Sequence, residues 1–100
     1  ATLGQAAVPS LERLAAFLTA EPGARILIVG HTDSLGGLES NRALSQRRAT
    51  VVKEALVESY GADPERIDVA GAGYMAPIAS NLSVEGREHN RRVEAVLISN

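Results

Sequence analysis

The six residues Arg25-Ile26-Leu27-Ile28-Val29-Gly30 constrain the fold of this chain more than any other stretch. The run is too short for a helix and rich in Ile and Val, so it reads as a strand buried on both faces, in the middle of a sheet. A sheet buried in this way must be covered by helices, and the flanking sequence supplies them. Leu11, Leu14, Ala15 and Leu18 recur at helical spacing behind Ser10, a candidate cap, and Pro22-Gly23 ends that helix. A longer helix runs from Leu38 or Asn41 to Tyr60 without Pro or Gly, and Gly61 stands where a left-handed cap would close it.

The second half repeats the alternation. Asp63-Pro64-Glu65-Arg66 has the acidic cap and early proline of a short helical turn, and Ile67-Asp68-Val69-Ala70 alternates as a strand until Gly71, Gly73 and Pro77 break it. Residues 75–83 read as a loop and Val84 to Asn90 as a short polar helix. Arg92 to Ile98 reads as a final strand with Val93, Ala95 and Leu97 on one face. The order α-β-α-β-α-β predicts a single α+β domain, helices layered on one mixed sheet, with the first two strands joined by a right-handed parallel crossover. Residues 1–8 read as the tail of an upstream segment, and a further strand is expected before Ala1.

Composition narrows the function classes. The chain is 45% hydrophobic with only three aromatic residues, so its core must be aliphatic. Acidic and basic residues are interspersed at a net charge of −2, which argues against a nucleic-acid face. Without cysteine there is no disulfide and no zinc-thiolate site. No segment approaches the roughly 20 apolar residues of a membrane-spanning helix, and no signal peptide is visible.

Two residues stand out against this background. The strand runs into Gly30-His31-Thr32-Asp33-Ser34-Leu35-Gly36-Gly37, delivering a carboxylate just where the chain loosens. On the long helix, a projection of about 100° per residue puts Leu44, Val51, Val52 and Ala55 on one apolar stripe, with Asn41 one turn earlier and Arg48 inside it. A cation in a core stripe needs an anion, and Asp33 is the nearest candidate by topology. Either Asp33 and Arg48 pair directly, stapling strand to helix, or a small zwitterion sits between them, its ammonium on Asp33 and its carboxylate on Arg48.

The segments GHTDSLGGLESNRALSQRRATVV, RIDVAGAGYMAPIASN and EGREHNRRVEAVL closely resemble the OmpA-like C-terminal domain. This module is shared by outer-membrane protein A, the peptidoglycan-associated lipoprotein and flagellar stator subunits. The resemblance covers about residues 10–98. It implies non-catalytic binding of peptidoglycan through the meso-diaminopimelate of the stem peptide, in the periplasm, by a protein anchored to the envelope membrane outside this segment. In that family an Asp grips an amino group of the ligand and an Arg grips a carboxylate, and these fall on Asp33 and Arg48. Asn41, Leu44 and Thr32 fall on pocket-lining positions. The family's G-Y-G segment reads Gly71-Ala72-Gly73 here, followed by Tyr74, and the family's domain begins with a strand upstream of Ala1.

Other chemistries fit less well. His31, Asp33 and Ser34 point in alternating directions along an extended segment, so they do not converge as a triad. His31, Asp33 and His89 lack a ligand spacing, and neither metal nor cofactor is expected. Of Arg91-Arg92, one must face inward in an alternating strand, which predicts a salt bridge to a local acid. The alternative to ligand binding is a protein-interaction module whose exposed sheet edge pairs with another chain, including a second copy of this one.

Overall fold

The computed structural model describes residues 8–99. Its elements are α1 (Val8–Ala20), β1 (Arg25–Gly30), α2 (Leu38–Tyr60), a 3-10 turn (Pro64–Arg66), β2 (Ile67–Gly71), α3 (Val84–Asn90) and β3 (Val93–Ser99). The expected α-β-α-β-α-β order is observed. The tail expected at residues 1–8 lies outside the described residues except for Val8, which opens α1; Ser10 therefore sits in the first turn of that helix rather than capping it. No helix among the described residues is long and apolar enough to cross a membrane.

The three strands form one mixed sheet in the order β2-β1-β3, with β1 central as expected. β1 pairs parallel with β2, placing Ile26 opposite Ile67 and Gly30 opposite Gly71. It pairs antiparallel with β3, placing Gly30 opposite Val93. Leu11 and Leu18 of α1 and Ala49, Val52 and Leu56 of α2 pack with Ile26, Ile28 and Ile67 of the sheet. Burying these aliphatic side chains supplies the main driving force for folding, each Leu, Ile and Val contributing about 1.5–3 kcal/mol and Ala49 less.

Two expectations need correction. β1 is buried on one face only: Ile26 and Ile28 are sealed, whereas Leu27 and Val29 are half-buried. This core joins α1 and α2 to the face bearing Ile26 and Ile28, and strand side chains alternate between faces, so Leu27 and Val29 point away from it. The buried stripe of α2 is Asn41, Ser45, Ala49, Val52 and Leu56, not the one projected through Arg48. Leu44, Arg48, Val51 and Ala55 lie half-buried beside it.

The small residues on that stripe have a reason. A methyl group added to Gly30 would fall 1.9 Å from the Ser45 carbonyl oxygen, and one on Gly71 would fall 2.5 Å from that of Arg42. The N-terminal half of α2 thus rests directly on the backbone at the ends of β1 and β2. This contact presents the first turns of α2 at the end of the sheet from which Asp33 emerges. At its other end α2 closes on Gly61, in the left-handed conformation with φ 71°, as its position predicted.

Candidate functional site

Past Gly30 the chain stays extended between its two neighbours. The His31 N–H donates to the Arg92 carbonyl, the Thr32 N–H to the Gly73 carbonyl, and the Ala72 N–H to the Gly30 carbonyl. The Gly71-Ala72-Gly73 segment is thereby tied to the end of β1, and Ser45 of α2 accepts the Gly73 N–H at 3.0 Å. His31, Thr32 and Asp33 are all buried. The central strand therefore carries Asp33 into a rigid, hydrogen-bonded setting, although the next four residues are exposed.

The Asp33 carboxylate is engaged at both oxygens. Oδ1 accepts the Leu35 N–H at 3.0 Å, forming the tight turn that short acidic side chains favour. Oδ2 accepts from Nη1 of Arg91 at 2.5 Å. Burial pushes the Asp33 carboxyl up, but the hydrogen bonds from Arg91 and Leu35 and the charges of Arg91 and Arg87 outweigh it, so the group sits below its ordinary value. Thr32 Oγ1 donates to the Asp33 carbonyl, and Asn41 Nδ2 donates to the Leu35 carbonyl at 2.8 Å, fastening the glycine-rich loop to the first turns of α2.

The direct Asp33–Arg48 staple is not formed. Among the described residues the salt-bridge partner of Asp33 is Arg91, just past α3. Arg48 instead lines a cavity of about 740 Å³ between α1, α2 and β3, whose wall includes Leu14, Phe17, Arg91, Arg92 and Glu94. Asp33 is not part of that wall; Arg91 is the residue that touches both. Thr32, Asp33 and Asn41 thus cluster at the end of β1, whereas Arg48 faces the cavity and Leu44 lies half-buried on α2 between Asn41 and Arg48.

The arginine doublet does more than the single salt bridge predicted for it. Arg92 Nε donates to Glu94 Oε1 at 2.5 Å, the expected pairing with a local acid, while Arg91 turns to Asp33. The strand itself starts one residue later than expected, at Val93, because Arg91 still belongs to the end of α3: its N–H donates to the carbonyls of Arg87 and Glu88. The signal for Arg91 was present as an unpaired cation beside a predicted inward one, but its partner is 58 positions away and no local pattern names it.

Two further buried groups border the site. His31 Nε2 lies 3.8 Å from Glu94 Oε1, and among the described residues neither ring nitrogen has a hydrogen-bond partner. Asn90, fully buried, accepts the N–H groups of Ile78 and Ala79 and donates to the Ala79 carbonyl and to Asn81 Oδ1, which also accepts the Ser34 N–H. The loop 75–83 is thus tied to the loop that follows Asp33. Among the described residues no group of three or more His, Cys, Asp or Glu is placed to hold a metal ion.

The sequence profile of the OmpA family matches residues 1–91. The chain belongs to the OmpA family. It is 42% identical over 85 residues to outer membrane porin F of Pseudomonas aeruginosa, an alignment that takes in 85% of this chain and 24% of the porin. It is 45% identical over 87 residues to the peptidoglycan-binding protein ArfA of Mycobacterium tuberculosis, covering 87% of this chain and 26% of ArfA. This OmpA-family domain therefore spans about a quarter of the length of either relative. Its fold is that of the peptidoglycan-associated lipoprotein of Burkholderia pseudomallei, with a TM-score of 0.90 at 30% identity over 97% of this chain and 81% of the other.

Proposed function

We propose that this domain binds peptidoglycan non-covalently through the zwitterionic end of diaminopimelate, and so anchors an envelope protein to the cell wall from the periplasmic side. The observation that carries the reading is a buried carboxylate, Asp33, held at the end of the central strand beside a cavity bearing Arg48, Arg91 and Arg92. Asp33 receives the ligand ammonium and Arg48 its carboxylate, with Thr32, Asn41 and Leu44 shaping the loop and helix around them. The names of two relatives support the substrate class: ArfA is peptidoglycan-binding and the Burkholderia lipoprotein peptidoglycan-associated.

Charge-assisted hydrogen bonds contribute roughly 1.5–3 kcal/mol each, so one stem peptide binds modestly and anchoring relies on many contacts along one polymer. No catalytic step is assigned to these residues. The experiment is capture of the folded domain on isolated diaminopimelate-type peptidoglycan, wild type beside Asp33→Ala and Arg48→Ala, with circular dichroism as the control for folding. Capture lost in both folded variants supports the two-ended grip; no capture by the folded wild type overturns it.

A second reading is favoured by β3, an edge strand among the described residues, with Val93, Val96, Leu97 and Ile98 exposed. Such an edge can pair with another chain. Association through it would survive loss of Asp33 and Arg48.

A further inference from the structure

The position that the proposed ligand's ammonium would take on Asp33 is already held by a cation of the protein itself. Arg91 Nη1 lies 2.5 Å from Asp33 Oδ2, and the Asp33 side chain is only 9% exposed, so the carboxylate has little room for a second cation. The Arg91 side chain is 39% exposed and lines the cavity it shares with Arg48. Arg91 can therefore swing from the carboxylate toward the cavity without entering the core.

We infer that Arg91 is a specificity-determining residue, an internal competitor that admits an amine to Asp33 only when that amine brings a carboxylate of its own. The inference rests on the proposed function and adds to it a reason for selectivity. A plain primary amine that displaces Arg91 exchanges one ion pair for another and leaves a guanidinium without its anion beside a new positive charge. An α-amino acid head carries ammonium and carboxylate on one carbon. It replaces one ion pair by two, ammonium on Asp33 and carboxylate facing Arg91 and Arg48. Diaminopimelate ends in such a head, and lysine ends in the bare amine. The discrimination between them then depends on Arg91 as well as on Arg48.

The test compares two stem tripeptides, one ending in meso-diaminopimelate and one in lysine, titrated into wild type, Asp33→Ala, Arg91→Gln and Arg91→Lys by calorimetry. Wild type is expected to prefer the diaminopimelate peptide by roughly tenfold or more, the worth of one charge-assisted hydrogen bond. Arg91→Gln removes the competitor, so the lysine peptide gains affinity and the ratio falls several-fold. Arg91→Lys keeps a cation for Asp33 and keeps most of the preference. A merely structural role for Arg91 would weaken both peptides together and leave their ratio unchanged, which would overturn the inference.

A measurement on the wild type covers the case in which Arg91→Gln does not fold. The ¹⁵N signal of the Arg91 side chain should shift on binding the diaminopimelate peptide as its partner changes, and an unmoved signal at saturation overturns the inference. Failure of the underlying reading is distinguishable. If wild type binds neither peptide, both fall. If wild type binds and Asp33→Ala does not, but the ratio in Arg91→Gln is unchanged, only the role of Arg91 falls.

Discussion

Gly30 and Ser45 are packed backbone to backbone: a methyl group on Gly30 would sit 1.9 Å from the Ser45 carbonyl oxygen. No rotamer change relieves that overlap, because both sides are main chain, so Gly30→Ala must push α2 off the end of β1. Overpacking of this kind costs about 3 kcal/mol or more, and the melting temperature should fall by more than about 10 °C. Gly61→Ala is the contrast. Nothing among the described residues lies within 4 Å of the added carbon, so the cost is only the strain of the left-handed cap at φ 71°, about 1–2 kcal/mol. Thermal unfolding of the two variants separates a contact that shapes the site from one that ends a helix.

Arg66 secures the opposite end of the domain. Its guanidinium donates to the carbonyls of Ala24, Leu18 and Glu21, closing the C-terminus of α1 and the turn after it. Three carbonyls lose a charged donor in Arg66→Ala, which should cost about 2–3 kcal/mol in urea unfolding. Because none of these groups bonds to Asp33 or lines the cavity that holds Arg48, capture on peptidoglycan at a temperature where the variant is folded should be unchanged.

These residues show which parts of the fold the sequence declared. Element order, the parallel crossover and the closing Gly61 followed from local pattern, since hydrophobic spacing and cap chemistry act over a few residues. The face of α2 that is buried did not. Its stripe includes Asn41, Ser45 and Ala49, and at Ser45 the glycines Gly30 of β1 and Gly71 of β2 bring the backbones together, a contact that a search for apolar side chains passes over. Asp33 was identified because a carboxylate at the end of a buried strand is locally anomalous. Arg91 was not, because its meaning depends on a partner supplied by a distant element.

Asn90 is the hinge pin of the loop beside the site. Its carboxamide makes hydrogen bonds to Ile78, Ala79 and Asn81, and the Asn81 side chain reaches Ser34. Asn90→Ala removes four partly buried hydrogen bonds worth about 0.5–1.5 kcal/mol each, so a loss of about 3 kcal/mol is expected. Amide exchange should accelerate at Ile78, Ala79 and Ser34 ahead of the strands. Uniform acceleration across the domain would show instead that the loop has no independent opening.

His31 gives the domain a response to mild acid. Burial lowers its basicity below the ordinary histidine value, the charge of Arg92 lowers it further, and Glu94 opposes both. With the folded value lowered, the unfolded chain takes up a proton near pH 6.5 while the folded domain does not. Stability should therefore decline as pH falls from about 7 toward 5, and level off once the folded histidine also protonates. Asp33 and Glu94 behave differently. Arg91 holds the first below its ordinary value against the cost of burial, and the hydrogen bond from Arg92 holds the second, so their contribution persists until pH drops below about 4 and is then lost. Melting temperatures across this range should show two declining phases, and His31→Gln should flatten the upper one while leaving the lower in place. An upper phase that survives His31→Gln would assign it to another group and remove His31 from the acid response.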